Sequence, residues 1–232
     1  MQAVTFRIYQ YEQVKHTPLF FGNRTHPLFI RITQSAKSLN FKSHCFDQLL
    51  KPKYQHDVLQ GGKTPTLQDI IRLETQLIEF LINKQKADFI LPHLKQAYDF
   101  YSHDVLDKLE EEFKQYLVAF FYKEDMPSMA CLVDNYRTKL RADQLLNDLK
   151  RLLSTQVYNR MMGRSLLEAP PYIPLLEFCR LHYPNSPGLL LTFQFCQERF
   201  KQEFHLFIRE RYPAYLPHDP YEYVISRLKT SL

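Results

Sequence analysis

Alternating apolar and polar residues near the N-terminus are the feature that most constrains the fold of this chain. The alternation runs through residues 4–9, 28–33 and 39–42. Because successive side chains of a strand point to opposite faces, this pattern predicts three short strands. One face would be apolar, and the opposite face would carry Thr5, Arg7, Arg31, Thr33, Asn40 and Lys42. The sequence therefore predicts a small sheet with one buried face and one polar, basic face.

The connections between the predicted strands differ in length. Residues 15–27 contain a glycine turn signal and two prolines, so we expect a flexible loop there. Residues 34–38 form a much shorter link, which predicts a hairpin with Lys37 near its tip. Regular periodicity then disappears over residues 47–65. We expect that segment to be an exposed connection that lies outside any core.

Beyond residue 65 the apolar residues recur at helical spacing. Thr66-Leu67-Gln68-Asp69 has the form of an N-terminal capping box and begins a helix that should end near Lys86. Further apolar stripes predict helices over residues 92–101, 103–121, 129–152, 174–182, 189–211 and 221–228. Only five glycines occur, which favours a helical body. The predicted fold class is α+β, mostly α, with a small N-terminal three-stranded antiparallel sheet followed by a multi-helix bundle.

The sequence also predicts how the chain is divided into domains and where in the cell it is located. We divide the chain into a small basic β module with its linker (residues 1–60), a helical domain (61–153) and a C-terminal helical sub-bundle (154–232). No apolar run reaches the roughly 18 residues of a membrane span, and no signal-like segment opens the sequence. The four cysteines show no C-x-x-C spacing, so we expect reduced thiols. These features predict a cytoplasmic protein without a membrane partner.

The positive charge of the chain is concentrated at one end. Residues 1–60 hold eight Lys or Arg against three acidic residues, whereas the rest of the chain is balanced, so the net charge of +5 arises in the predicted module. Such a distribution indicates contact with a polyanion. We assign DNA contacts to Arg7, Arg31 and Lys42 on the polar face, and to Arg24 and Lys37 in the connections. In the plainer alternative these are solvated residues that discourage aggregation at a sheet edge.

Two short motifs suggest phosphate or metal binding. Gly62-Lys63-Thr64 is similar to the end of a phosphate-binding loop, but Asp57 stands where that motif has another glycine. We interpret Gly61 and Gly62 as part of the linker. Cys179 and His182 have half of a zinc-site spacing, but the second half is missing nearby in the sequence. A packed helix end is the favoured interpretation, so we predict neither a cofactor nor a metal.

Two further clusters have structural explanations. Glu110, Glu111 and Glu112 point in three directions around a helix, so they cannot converge on one substrate atom, and a solvated face explains them. Phenylalanines recur at helical spacing as Phe193, Phe200, Phe204 and Phe207, which favours a core over a cofactor site. No glycine-flanked nucleophile elbow frames any serine. The sequence therefore predicts no catalytic centre.

The predicted strands also carry a family resemblance. The succession of residues 5–8, 27–33 and 39–42, read as Thr-Phe-Arg-Ile, Pro-Leu-Phe-Ile-Arg-Ile-Thr and Leu-Asn-Phe-Lys, resembles the arm-type DNA-binding module of Bacteroidetes-type tyrosine recombinases, or phage integrases. The helices predicted over residues 66–153 are similar in placement to the SAM-like core-binding domain of that family. The resemblance implies a three-stranded sheet that enters a DNA groove, and a role in DNA recombination on a mobile element.

The catalytic residues of that family are not matched. Its catalytic domain carries an Arg, a His-x-x-Arg box and a Tyr nucleophile, whereas the nearest string here, from His205 to Arg209, has one residue too many between His and Arg. The region after Ser154 is also too short for that domain. The resemblance therefore implies a non-catalytic relative, such as an integrase-like accessory factor or a truncated recombinase.

The leading hypothesis is a non-enzymatic protein that binds duplex DNA through its N-terminal sheet. Its helical body would supply a second DNA contact or bind protein partners. The alternative is a helical protein–protein interaction subunit of a multi-component assembly, with no direct nucleic-acid role. Affinity for nucleic acid should fall steeply with ionic strength under the first hypothesis and be absent under the second. The sequence leaves DNA and RNA open as ligands.

Overall fold

The computed structural model describes residues 4–12, 17–19, 23–51, 53–54, 65–85, 90–183, 189–213 and 219–229. The strands are β1 (Val4–Gln10), β2 (Thr17–Leu19), β3 (Asn23–Thr25), β4 (Leu28–Gln34) and β5 (Lys37–Lys42). The helices are α1 (His44–Leu49), α2 (Leu67–Lys84), α3 (Leu91–Tyr101), α4 (Val105–Lys123), α5 (Pro127–Tyr136), α6 (Ala142–Leu152), α7 (Thr155–Glu168), α8 (Tyr172–His182), α9 (Thr192–Phe195), α10 (Glu198–Arg211) and α11 (Pro220–Lys229). The predicted α+β, mostly α fold class is confirmed. In the part of the chain described here, no helix is both long and apolar enough to cross a membrane.

The chain divides into two compact units. One comprises Met1–His103 with Leu191–Phe193, and the other comprises Asp104–Leu190 with Gln194–Leu232. The first unit contains both small sheets and helices α1 to α3, whereas the second is helical. The domain boundaries predicted after residues 60 and 153 describe fragments that would each fold separately. Separate folding is a different property from compactness, so these boundaries stay predictions.

The sheet of the first unit is antiparallel with the strand order β1-β4-β5. Its central strand places Leu28, Ile30 and Ile32 on one face, where all three are fully buried. The intervening Arg31 is exposed, as period-two alternation requires. Strands β4 and β5 are joined by a two-residue turn, so the predicted hairpin is confirmed, and Ser35 adopts a left-handed φ of 55° within it.

The connection between β1 and β4 contains structure that the sequence analysis did not predict. Strands β2 and β3 pair antiparallel, with Thr17 opposite Thr25 and Leu19 opposite Asn23. The Gln10 amide donates a hydrogen bond to the Thr25 hydroxyl over 2.6 Å. The expectation of a flexible loop was therefore wrong for the described residues, because local strand pairing satisfies their backbone groups.

The start of the predicted connection over residues 47–65 belongs to the core of the first unit. Phe46 and Leu49 of α1 are fully buried, and Lys53 and Tyr54 are also buried. Periodicity was lost there because α1 spans less than two turns, too short to show a stripe. The expectation of an exposed connection was wrong for Leu49, Lys53 and Tyr54. The Gly62-Lys63-Thr64 motif lies outside the described residues.

A buried carboxylate joins the sheet to helices α1, α2 and α3. Glu74 of α2 is fully buried, and its Oε1 accepts hydrogen bonds from the Ser43 hydroxyl at 2.5 Å and the Cys45 backbone N–H at 3.2 Å. The Tyr98 hydroxyl of α3 donates to both Glu74 oxygens, at 2.9 and 3.1 Å. Ser43 also donates its backbone N–H to the Leu28 carbonyl of β4 at 2.9 Å. These bonds connect β4, α1, α2 and α3 through one side chain.

Aromatic side chains form much of the core of the second unit. Phe178 of α8 lies 5.1 to 5.4 Å, between ring centroids, from Phe200, Phe204 and Phe207 of α10. All four rings are buried. The prediction that the phenylalanines at helical spacing form core is confirmed, and Phe193 is likewise buried in the first unit, 5.6 Å from the Phe80 ring.

The segment predicted as a single helix over residues 129–152 is two helices, α5 and α6, separated at residues 137–141. Lys114 of α4 donates hydrogen bonds to the carbonyls of Arg137 and Leu140, at 2.8 and 2.6 Å. Glu110, which pairs with Lys114 at 3.0 Å, accepts from the first N–H of α6 at Ala142 over 2.6 Å. One buried ion pair thus satisfies polar groups at both helix ends. No glycine or proline marks this break in the sequence.

Glu110 also departs from the predicted solvated acidic face. Its side chain is 4% exposed, because it turns towards Lys114 and the start of α6. Glu111 and Glu112 are more accessible and face arginines, Arg137 and Arg227 respectively. The explanation by a solvated face was therefore wrong for Glu110. Paired burial of the two charges avoids the cost that either would carry alone.

Removal of the Glu74 carboxylate should destabilise the first unit. Glu74→Ala leaves the Ser43 and Tyr98 hydroxyls and the Cys45 N–H without their acceptor, so we expect a loss of about 3 kcal/mol or more. Glu79→Ala, at an exposed position of the same helix, should change the free energy of unfolding by no more than about 0.5 kcal/mol. Urea unfolding measures both, and equal effects would contradict the proposed role of Glu74.

The same carboxyl group should make stability depend on pH. Burial raises the pKa of Glu74 above its ordinary value of 4.5, against the lowering effect of its hydrogen bonds from Ser43, Tyr98 and Cys45. The folded chain therefore keeps a proton that the unfolded chain has lost, and the free energy of unfolding should fall as pH rises from 4.5 through the folded pKa. This decrease should be missing from Glu74→Gln, when both proteins are unfolded across that pH range.

Candidate nucleic-acid interface

The outward face of the β1-β4-β5 sheet is a grid of nine positions, which we call the basic face. The strand register aligns them in three rows, Thr5-Thr33-Ser38, Arg7-Arg31-Asn40 and Tyr9-Phe29-Lys42. No acidic residue occupies any of the nine positions. The face combines three cationic side chains with three hydroxyls, one amide and two aromatic rings.

Two arginines lie directly opposite each other in the central row. Arg7 pairs with Arg31 in the register, and both are exposed. Like charges directly opposite on neighbouring strands destabilise a sheet. The Arg31 Nε donates a hydrogen bond to Asn40 Oδ1 over 2.7 Å, which orients the guanidinium along the row. The fold therefore holds two positive charges together at a small cost in stability.

Aromatic rings lie beside these arginines. Tyr9 and Phe29 are opposite each other, with ring centroids 6.3 Å apart, and Tyr11 follows β1 with its ring 5.2 Å from that of Phe29. All three side chains are partly exposed. The guanidinium carbons of Arg7 and Arg31 lie 6.0 and 5.8 Å from the centroid of the Tyr9 ring. Cations at this distance interact favourably with a ring face.

Lys42 lies at the edge of the basic face and is partly neutralised. Its Nζ lies 2.6 Å from Asp47 Oδ1, and both side chains are less than half exposed. Asp47 is in the first turn of α1, whose N-terminus is capped by the Ser43 hydroxyl accepting from the Phe46 N–H at 3.0 Å. A carboxylate is favourable in the first turn of a helix, because the N-terminal end of the helix dipole is positive. This interaction favours the position of Asp47 beside Lys42.

The structure brings together three of the five residues assigned to DNA contact. Arg7, Arg31 and Lys42 share the basic face as predicted. Lys37 is exposed at the start of β5, but its register partner Gln34 belongs to the opposite face of the sheet. Arg24 lies in β3, and its side chain is outside the described residues. Whether any of these residues contacts DNA stays a prediction.

The aromatic side chains were missed by the sequence analysis. Only polar residues were assigned to the outward face, although the period of two also places Tyr9 and Phe29 there. Tyr11 continues the alternation past the end of β1, where its backbone N–H still donates to the Pro27 carbonyl at 3.1 Å. Tyr9 and Phe29 already lie within the alternating runs, and extending the period by one residue pair would have added Tyr11.

A second cluster in the first unit has the composition of a catalytic triad. His44 Nδ1 lies 2.8 Å from the Ser102 hydroxyl, and His44 Nε2 lies 3.5 Å from Asp99 Oδ1. A nucleophilic hydroxyl must reach a substrate, but Ser102 is fully buried. Burial lowers the pKa of His44, against the raising effect of Asp99. The cluster is better explained as packing between α1 and the end of α3.

The zinc-like spacing of Cys179 and His182 has a similar explanation. The His182 ring stacks on Phe178 with centroids 4.4 Å apart, and burial raises the pKa of the Cys179 thiol. Across the described ranges, no group of three or more His, Cys, Asp or Glu side chains has the arrangement of a metal site.

Comparison with known proteins adds no relatives. No protein-family model matches the chain, and neither a curated protein nor a solved structure is significantly similar to it. The resemblance to recombinases therefore depends on the strand pattern and on the placement of the helices that follow it. The proposed contact with nucleic acid depends on the residues of the basic face.

Neutralising Asp47 should strengthen the attraction of this face for polyanions. Asp47→Asn removes the acid 2.6 Å from Lys42, so we expect elution from heparin at a higher salt concentration than the unchanged protein. Asp148→Asn changes the net charge equally at an exposed position of α6 and should shift elution less. Identical elution of the two variants would show that heparin responds to overall charge and not to the basic face.

Proposed function

We propose that this protein is a non-catalytic DNA-binding protein that contacts duplex DNA through the basic face. The observation that supports the proposal is the clustering of Arg7, Arg31 and Lys42 on one exposed sheet face, whose nine positions include no acidic residue although Asp47 lies beside Lys42. Three of the eight Lys and Arg residues in the first 60 positions lie on this face. An accessory role beside a recombinase, as the sequence resemblance implies, is part of this proposal.

The chemistry of the face matches that of phosphate contacts. Half or more of protein–DNA hydrogen bonds go to the sugar–phosphate backbone, and they come from Arg, Lys, Ser, Thr and Asn side chains. Seven of the nine grid positions carry these residue types: Thr5, Arg7, Arg31, Thr33, Ser38, Asn40 and Lys42. Two opposed arginines offer several donors in fixed forks, and a phosphate between them would relieve their repulsion.

The size of the sheet also suits a DNA groove. Neighbouring strands lie about 4.8 Å apart, so three strands span about 10 Å. The major groove of B-DNA is about 12 Å wide and accepts an α-helix or a β-ribbon. A sheet of this width can present its arginines to both walls of the groove, where phosphates lie.

Charge removal tests the proposal directly. The triple variant Arg7→Ala, Arg31→Ala, Lys42→Ala should lose most affinity for duplex DNA, and the slope of log K against log salt should become shallower by about 2 to 3. Stability should change little, because the three side chains are exposed or half-exposed. Fluorescence anisotropy over a salt series measures affinity, and circular dichroism checks the fold.

A matched triple variant in the second unit controls for net charge. Lys139→Ala, Lys150→Ala, Arg151→Ala removes the same charge from exposed positions in α6 and in the turn before it. It should retain most of the duplex affinity and salt slope. If the two triple variants lose affinity equally, or if neither does, the basic face is not the element that contacts DNA.

An interaction subunit remains the second candidate, because the second unit exposes large apolar side chains. Leu152, Leu167, Leu181 and Leu206 are each more than half exposed. Scattered exposed leucines are common in monomeric proteins, whereas a contiguous patch would mark a protein interface. Under this alternative the unchanged protein shows no salt-dependent affinity for nucleic acid.

A further inference from the structure

We infer that the aromatic side chains of the basic face stack on unpaired bases, so that this site takes single-stranded DNA in preference to intact duplex. The inference rests on the proposed nucleic-acid function of the same face and names the form of the ligand. It depends on Tyr9, Tyr11 and Phe29, which the phosphate contacts do not use.

Aromatic rings occupy the outward face of the sheet, where polar side chains are expected. Tyr9 and Phe29 occupy adjacent strands at outward positions, where the rest of the grid is polar. Partly exposed aromatic rings forgo some of the favourable burial that they would gain in a core. Base stacking on an aromatic side chain contributes to single-strand binding for every base type, because every base has a flat face.

The rings are spaced more widely than the stacked bases of a duplex. Their centroids lie 5.2 to 6.5 Å apart. Successive bases of one strand in duplex DNA lie about 3.4 Å apart, and each face is covered by the next base. Bases that stack on separate rings of this cluster must therefore be separated from one another. Such separation is available in a single strand and is not available in an intact duplex, which offers base edges in its grooves.

Positively charged side chains surround the rings. Arg7 and Arg31 flank Tyr9, and Lys42 is registered opposite Phe29. Sites for single strands combine a positive track for the backbone with aromatic platforms for the bases. On the basic face both features occur within one three-by-three grid. An apolar ligand would be complementary to the rings but not to the cations beside them.

A site-specific reporter can detect stacking, because the chain contains no tryptophan. Phe29→Trp places a single indole in the ring cluster, and Tyr122→Trp places one at an exposed position in the second unit. Titration with a thymidine oligonucleotide should quench the fluorescence of the first variant and leave that of the second unchanged. Bound oligonucleotide without quenching at position 29 would overturn the inference.

Affinity measurements separate stacking from phosphate contact. The double variant Tyr9→Leu, Phe29→Leu should bind the thymidine oligonucleotide at least about tenfold more weakly, with an unchanged salt slope. Its affinity for a hairpin duplex with the same number of phosphates should be retained, which also shows that the sheet is folded. The conservative variant Phe29→Tyr preserves a ring, so it should keep more of the affinity for the thymidine oligonucleotide than Phe29→Leu does.

The outcomes distinguish this inference from the proposed function. If the unchanged protein binds neither oligonucleotide, the proposed function and the stacking inference both fail. If it binds only the single strand and the leucine variant loses that binding, the proposed duplex contact fails and the stacking inference stands. If it binds the duplex as tightly as the single strand, and the leucine variant binds both unchanged, the proposed function stands and the stacking inference is overturned. Tighter binding of the single strand, lost selectively in the leucine variant, supports both.

Discussion

The buried carboxylate of Glu74 is the interaction on which the architecture of the first unit depends. It receives donors from the β5–α1 junction and from α3, while the backbone of Ser43 is bonded to β4. A carboxylate removed from water is costly unless each lone pair finds a donor, so the positions of Ser43, Cys45 and Tyr98 are tightly specified. The Tyr98 ring also lies 4.6 Å from Phe41, which joins this polar centre to the apolar face of the sheet.

That arrangement determines which face of the sheet is available for a ligand. Ile30 and Ile32 are committed to the core by burial, and a register shift of one residue would expose them. The register anchored near Ser43 therefore also aligns Arg7 with Arg31 and Tyr9 with Phe29. The proposed DNA site is a consequence of how the opposite face is packed, and its side chains need few contacts of their own to be placed.

The second unit also contains buried charged side chains that satisfy several polar groups. The Lys114–Glu110 pair is buried within a helical core and binds backbone groups where α5 ends and α6 begins. In both units a charged side chain is retained inside because it satisfies several backbone or hydroxyl groups at once. The Glu74 cluster and the Lys114–Glu110 pair explain helix boundaries that lack glycine or proline signals. The hydroxyl groups bonded to Glu74 are buried, and neither cluster has the geometry of a metal site.

The sequence by itself determined the three strands of the larger sheet, their hairpin and polar face, and most helices, because periods of 2 and 3.6 follow from local backbone geometry. It also determined that positive charge lies at one end. Only the tertiary structure decided that Glu110 is buried, that α5 and α6 are separate, and that Lys37 lies on the other face from Arg31. These outcomes depend on partners distant in the sequence and on strand register, since the cost of burying a charge is set by the groups that surround it.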